Sequence, residues 1–203
     1  MVDIVRGKEI NLKGKFVNLR SINENDFVRL IEWRNNPEIN RYLTQPYKLT
    51  IELQYKWYKE KYLNSNDILF IIIELKNKKR IGTIGINDVD YKNQIGIAGR
   101  LLIGEKEYRG SKELVEANIL FYDYLFYKLK LKKLYCHVVI KNKKVISFDK
   151  KCGFIPTEQK YFPNYCNVNG VQLIEMVNTK EQYEKAKKKI DPIMHYFEIS
   201  KKE

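Results

Sequence analysis

The longest apolar run in the chain is the six residues Ile68 to Ile73, and no other feature limits the fold as tightly. Six residues make under two helical turns but a full strand of roughly 20 Å. A membrane-spanning helix needs about 18–20 apolar residues in a row, so the sequence offers no candidate span. The stretch DILFIIIEL (67–75) reads as a buried strand, KNKK as its turn, and 81–89 as its hairpin partner. Gly82 and Gly85 in that partner mark a close backbone approach or a bulge. Ile95–Ile103 makes a third strand. The period then changes. Residues 111–129 carry two adjoining helical stripes, one through Leu114, Ala117, Phe121 and Leu125, the other through Val115, Ile119, Tyr122, Phe126 and Leu129. A face that wide expects deep burial against a sheet. Residues 134–140 are again strand-like. A three-stranded meander followed by one β–α–β crossover gives an α/β (mixed α+β) fold, a twisted mixed sheet with helices on both faces.

The flanks fit that frame. Residues 15–22 read as a first strand, and NENDFVRLIEWRN as a capped helix with Phe27, Leu30 and Ile31 at helical spacing. Pro37 ends or restarts it. Thr50 can cap a second helix, striped by Ile51, Tyr55, Tyr58 and Tyr62. Residues 142–151 form a short helix closed by Gly153, 161–165 and 171–178 a last pair of strands around Asn169-Gly170, and 179–189 a charged surface helix. That makes about seven strands in a single domain over 1–203, with a core at about 15–178 and a C-terminal helical extension at about 179–203. IDPIMHYFEIS, from Ile190, is apolar enough to dock on the body or on a second subunit of a homodimer.

Hydrophobic residues are 44% and charged residues 31%, a folded rather than a disordered composition. Cys136, Cys152 and Cys166 show no CxxC spacing and are joined only by His137 and His195, which argues against a disulfide framework or a metal site. With no signal-like start in MVDIVRGKEINLKGK, a cytoplasmic protein is expected. The net charge of +13 is scattered along the chain, and no helix-turn-helix, zinc finger or RNA-binding motif accompanies it. An anionic small ligand suits it better than a nucleic acid.

One place to hold an anion is YRGSKELVEAN (108–118), where a strand passes through a short loop into a helix. Free backbone N–H groups and the positive end of the helix meet there, beside Arg109. Taken alone, the turn is as well explained as an ordinary helix cap. Its surroundings say more. NLRSINENDFVRLIEWRNNPEINRYL, IGTIGI, GRLLIGEKEYRG followed by EA, and YCHVVIKNKKVISFDKKCGF resemble, in order and separation, the GCN5-related N-acetyltransferases over roughly 15–178. NVNGVQLIEMVNTKEQY resembles the branch that acetylates ribosomal-protein N-termini. EWRNNPEI resembles a signature of nucleotide-amino-sugar acetyltransferases.

The resemblance implies an acetyl-CoA-dependent N-acetyltransferase without a metal, in which a small-molecule amine attacks the thioester directly. It places the pantetheine arm along Leu101, Leu102 and Ile103, beside the strand of His137. The pyrophosphate falls on Arg109, Gly110, Ser111, Lys112, Glu113 and Leu114, with Asn142 at the family's spacing downstream. The family's two later turn glycines fall on Lys112 and Leu114, and its usual tyrosine acid falls on Asp149, which can donate a proton only if burial raises its pKa. His137 is the best candidate base by chemical type, and equally reads as a strand histidine with one hydrogen bond. Asp88 could hold the acceptor's ammonium or be a solvated turn residue. Trp33, Arg34, Asn35 and Glu38 fall where the family builds its acceptor pocket, and a guanidinium beside an aromatic suits a phosphorylated acceptor. Arg100 reads as a salt-bridge partner. An amino sugar, nucleotide-linked, is the favoured acceptor. A ribosomal-protein-type N-terminal acetyltransferase and a non-catalytic CoA-binding relative are the alternatives.

Overall fold

A computed structural model describes residues 9–199. Nine strands form one sheet: β1 (Asn11–Lys13), β2 (Val17–Ser21), β3 (Ile68–Glu74), β4 (Lys79–Asp90), β5 (Ile95–Ile103), β6 (Lys133–Val139), β7 (Ile155–Pro156), β8 (Asn167–Val168) and β9 (Val171–Thr179). Their order is β1-β2-β3-β4-β5-β6-β9-β7, with β8 paired to β9. All neighbours are antiparallel except β5 and β6. The expected count of about seven is exceeded because β1, β7 and β8 are only two or three residues long, too short to show a period. The strand expected at 161–165 is absent. Pro163, with a fixed φ and no N–H to give a ladder, opens a 3₁₀ turn there (Pro163–Tyr165), and the hairpin through Asn169-Gly170 starts from β8 instead.

β3 is apolar at every position but its last because both of its faces are covered. Ile68, Phe70 and Ile72 join the large core under α4 (Lys112–Asp123), with Phe121, Leu125 and Phe126. Leu69 and Ile71 join a second core under α1 (Phe27–Asn35), with Phe27, Leu30 and Trp33. Burying each such side chain contributes about 1.5–3 kcal/mol, so both layers favour the same register. Pro37 restarts the chain as α2 (Pro37–Asn40), with the Asn36 side chain accepting the Glu38 N–H. Thr50 caps α3 (Ile51–Lys56) by accepting the Leu53 N–H.

α4 is fastened to the start of β2 by one carboxylate. Buried Glu116 accepts the backbone N–H groups of Lys15, Phe16 and Val17 at 2.6–2.8 Å. Asn142 caps α5 (Lys143–Lys151), and Gly153 follows it at φ +103. The C-terminal helix α6 (Lys180–Ile199) runs past the expected end at 189, through Pro192. It docks on the body: Met194 is buried, and Glu198 reaches Lys15 at 2.5 Å. The first eight residues, part of the stretch read for a leader, and the last four of the C-terminal extension lie outside the described residues. No described helix is long and apolar enough to cross a membrane.

Candidate active site

The site begins where the sheet splits. β5 and β6 pair in parallel only through Ile95↔Lys133, Gly96↔Leu134 and Ile97↔Tyr135. Beyond these pairs the β5 edge that carries Leu101, Leu102 and Ile103 faces a gap. The cause lies in β5 itself. Arg100 adopts φ +51, and the β4–β5 register shifts between Thr83 and Gly85. That bulge is pinned by the Thr83 hydroxyl, which donates to the Arg100 carbonyl at 2.7 Å. A bulge turns a strand away from its neighbour. Gly82 lies so close to the Leu102 carbonyl that a Cβ would collide with it, which fulfils the expected close approach.

The split leads directly into the turn. After the 3₁₀ segment Lys106–Tyr108, Gly110 takes φ +81, and a Cβ there would meet nothing within 4 Å. Ser111 caps α4 by accepting the Leu114 N–H. The N–H groups of Lys112 and Glu113 keep no partner among the described bonds and sit at the positive helix end. Lys112 does not crowd them: its ammonium lies over the Phe16 ring at 4.9 Å and the Phe197 ring at 5.8 Å. Leu114 is buried in the core below. Arg109 donates through Nε to the Ile103 carbonyl at 3.4 Å, with Nη1 3.8 Å from Glu38. An open gap beside a strand edge, ending on free helix N–H groups, fits an extended thiol arm with a diphosphate at its end.

The N-terminal candidates separate by role. Trp33 is buried, donates to Glu105 at 3.1 Å, and packs against Gly104 with no room for a Cβ, so it braces the loop after β5. Asn35 clamps both backbone groups of Leu49 at 2.8 Å. Glu38 is exposed beside Lys106 and Arg109, at the turn. Arg34 differs from these. Its Nε donates to Gln45 at 2.8 Å, and among the described residues no carboxylate lies within ion-pair reach. Burial, and then the nearby Arg100 cation, lower its pKa, so its charge is poorly compensated.

Arg100 pairs with Asp67 at 2.8 Å, as a strand-edge arginine should, and its guanidinium lies 5.3 Å from the centre of the Trp57 ring. Asp67 in turn accepts the Asp88 N–H at 3.1 Å. Asp88 is exposed, takes φ +50, and accepts a hydrogen bond from the Tyr165 hydroxyl. The Tyr165 ring stacks on His137. These groups form one continuous wall.

His137 is enclosed, its side chain only 5% exposed. Nε2 lies 3.0 Å from Glu175, its cross-strand partner, while Nδ1 is buried without a partner among the described residues. Burial lowers its pKa against the opposing pull of Glu175, which favours the neutral ring. Burial pushes Glu175 upward, but the N–H groups of Tyr161 and Phe162, then His137 and Thr157, outweigh it and hold the carboxyl below its ordinary range. His137, Cys166 and Glu175 bring ligand atoms within 4.8 Å of one another. The Glu175 oxygens already meet four side-chain or backbone N–H and O–H groups, the usual capacity of a carboxylate.

Asp149 is buried beside Cys136, on the strand where β6 leaves β5, and burial raises its pKa to about 7. Asn142 spends its side chain on the Val145 N–H. Sequence reasoning did not single out Glu175, Tyr165, Asp67 or Glu105. Glu175 meets His137 across the β6–β9 ladder, two strands that no short turn connects, so no local register pointed to it. Tyr165 and Asp88 are 77 positions apart, and no local pattern joins them.

Residues 17–155 match the family model described as "Acetyltransferase (GNAT) domain". Spermidine N(1)-acetyltransferase of Vibrio cholerae is 25% identical over 139 residues, 68% of this chain and 78% of that protein. Apo FdhC, a nucleotide-linked sugar GNAT, superposes with TM-score 0.71 at 25% identity, covering 91% of this chain and 98% of that one. The Vibrio cholerae spermidine N-acetyltransferase in complex with CoA and spermine superposes with TM-score 0.67 at 22% identity, over 84% and 99%. The strand split, the helix-start turn and the matched region coincide, and the chain belongs to the GNAT acetyltransferase family, as an acyltransferase.

Proposed function

We propose that the protein transfers acetyl from acetyl-CoA to the amine of a nucleotide-linked amino sugar. The observation that carries the acceptor is an exposed carboxylate, Asp88, and a part-buried guanidinium, Arg34, linked through Arg100, which lies near Arg34 and pairs with the Asp67 that holds the Asp88 N–H. Asp88 offers a carboxylate to an ammonium, and Arg34 offers a guanidinium that no described carboxylate neutralises. An amino sugar on a diphosphate carries both signs. A polyamine such as spermidine is cationic along its whole length and would leave Arg34 opposed by like charge.

Acetyl-CoA supplies the thioester. The β5 edge at Leu101, Leu102 and Ile103 aligns its arm, and Arg109 to Leu114 receive the diphosphate on backbone N–H groups. Asp88 holds the amine at the mouth of the gap, and the amine's proton leaves to solvent. With its pKa near 7, Asp149 keeps a proton available beside the split for the departing thiolate. His137 serves as a fixed neutral ring in the wall, held by Glu175. Most of the barrier reduction then comes from holding amine and carbonyl in attack geometry.

The test is thiol release from acetyl-CoA with a UDP-linked aminodideoxyhexose and, separately, with spermidine. The sugar nucleotide should be the better substrate by kcat/KM. Arg34→Gln should raise its KM about tenfold or more, the loss of one charge-assisted contact, and leave spermidine unaffected. Preference for spermidine would replace the acceptor reading. CoA binding with no turnover on either amine would remove the transferase reading.

A further inference from the structure

We propose that Tyr165 is a positioning residue for acetyl transfer, one that fixes the Asp88 carboxylate so that its second oxygen meets the acceptor's ammonium; this rests on the transfer reading above. The Tyr165 hydroxyl donates to Oδ2 of Asp88. The Asn87 side chain donates to the same oxygen at 3.0 Å. Both partners therefore occupy one side of the carboxylate. Oδ1 has no partner among the described bonds, on a residue that is exposed. The backbone of Asp88 is held as well, through its N–H to Asp67 and a left-handed φ of +50.

The position of Tyr165 is set from the far side of the gap. Its ring stacks on His137 with centroids 5.2 Å apart and planes 28° from parallel. Phe162 meets it edge-on at 6.1 Å. The Phe162 N–H and the His137 ring both end on Glu175 of β9. β6 and β9 thus carry a phenol across to a carboxylate on β4, and the amine seat is completed by the loop between β7 and β8. The phenol stays protonated through the neutral range, because burial and then the Asp88 carboxylate push its pKa to about 12. It is a donor to Asp88 and makes or breaks no covalent bond.

The experiment compares wild type, Tyr165→Phe, Asp88→Asn and the double variant. A UDP-linked aminodideoxyhexose is titrated calorimetrically into each CoA-saturated protein, and steady-state transfer is measured alongside. Tyr165→Phe should weaken probe binding and raise the acceptor KM about tenfold. Its kcat should stay within about threefold, and its CoA affinity and unfolding midpoint should not change. The double variant should lose no more than Asp88→Asn alone, since the hydroxyl acts only through that carboxylate. An unchanged acceptor KM in Tyr165→Phe, or losses that add in the double variant, overturns the inference while wild-type turnover leaves the transfer reading standing. A wild type that binds CoA but neither binds nor acetylates the probe or spermidine sinks both.

Discussion

A lysine where related turns carry glycine ought to crowd a bound phosphate. Lys112 avoids this because its ammonium is drawn onto Phe16 and Phe197, the latter delivered by the end of α6. Each cation–π contact of this kind contributes about 0.5–1 kcal/mol. The backbone N–H proposed to bind the diphosphate belongs to the same residue but does not depend on that side chain. Lys112→Ala should therefore leave CoA affinity within about twofold by titration calorimetry and lower global stability by roughly 1 kcal/mol in a urea melt. A tenfold loss of CoA affinity would place the ammonium on the phosphate instead. Nothing in the sequence indicated this arrangement, because Phe197 lies beyond the stretch that resembled a family.

Among the elements, α4 has the most demanding anchor. Glu116 collects three backbone N–H groups at the entry to β2, one element's side chain holding the start of another. Leaving a buried N–H unpaired costs about 1–3 kcal/mol, so Glu116→Ala should cost about 3–5 kcal/mol in urea denaturation. Glu116→Gln, which keeps one acceptor oxygen, should lose less. A loss below about 1 kcal/mol would mean that water replaces the carboxylate without penalty. Elements of this length were legible in the sequence. β3, β4, β5 and α4 announce themselves because burial on two faces, or on one wide face, forces a long apolar pattern. β1, β7 and β8 do not, since two or three residues carry no period. The aromatic segment at 161–165 misled for a related reason. Its backbone N–H groups at Tyr161 and Phe162 go to the Glu175 side chain, not to a neighbouring strand.

At the scale of the whole molecule, stability should depend on pH through Asp149. Its carboxyl binds a proton more tightly when folded, at about 7 against an ordinary 3.8. That contribution is fully present below about pH 4 and is lost as pH rises through 7. Above 7 the fold carries a buried charge. Asp149→Asn should therefore melt increasingly above wild type between pH 4 and 7, with the difference level beyond that. A difference that stays constant from pH 4 to 8 would show the group to be ionised throughout. The strand, turn and helix start proposed to hold the cofactor were legible as structure because they are contiguous in the chain. The wall proposed to hold the acceptor was not, because Asp88, Tyr165 and Glu175 come from separate segments that are joined only through Tyr165 and His137 in the folded sheet.

Gly104 and Trp33 join those two halves. The loop that leads to the start of α4 lies against the indole with no space for a methyl group, and the indole sits one residue before Arg34. Any change of size on one side has to be answered on the other. A lineage adapting to a bulkier acceptor by remodelling α1 would therefore drag its cofactor loop along with it. Selection at this joint acts on a pair of positions, and under the proposed function the acceptor side and the cofactor side would have to change together.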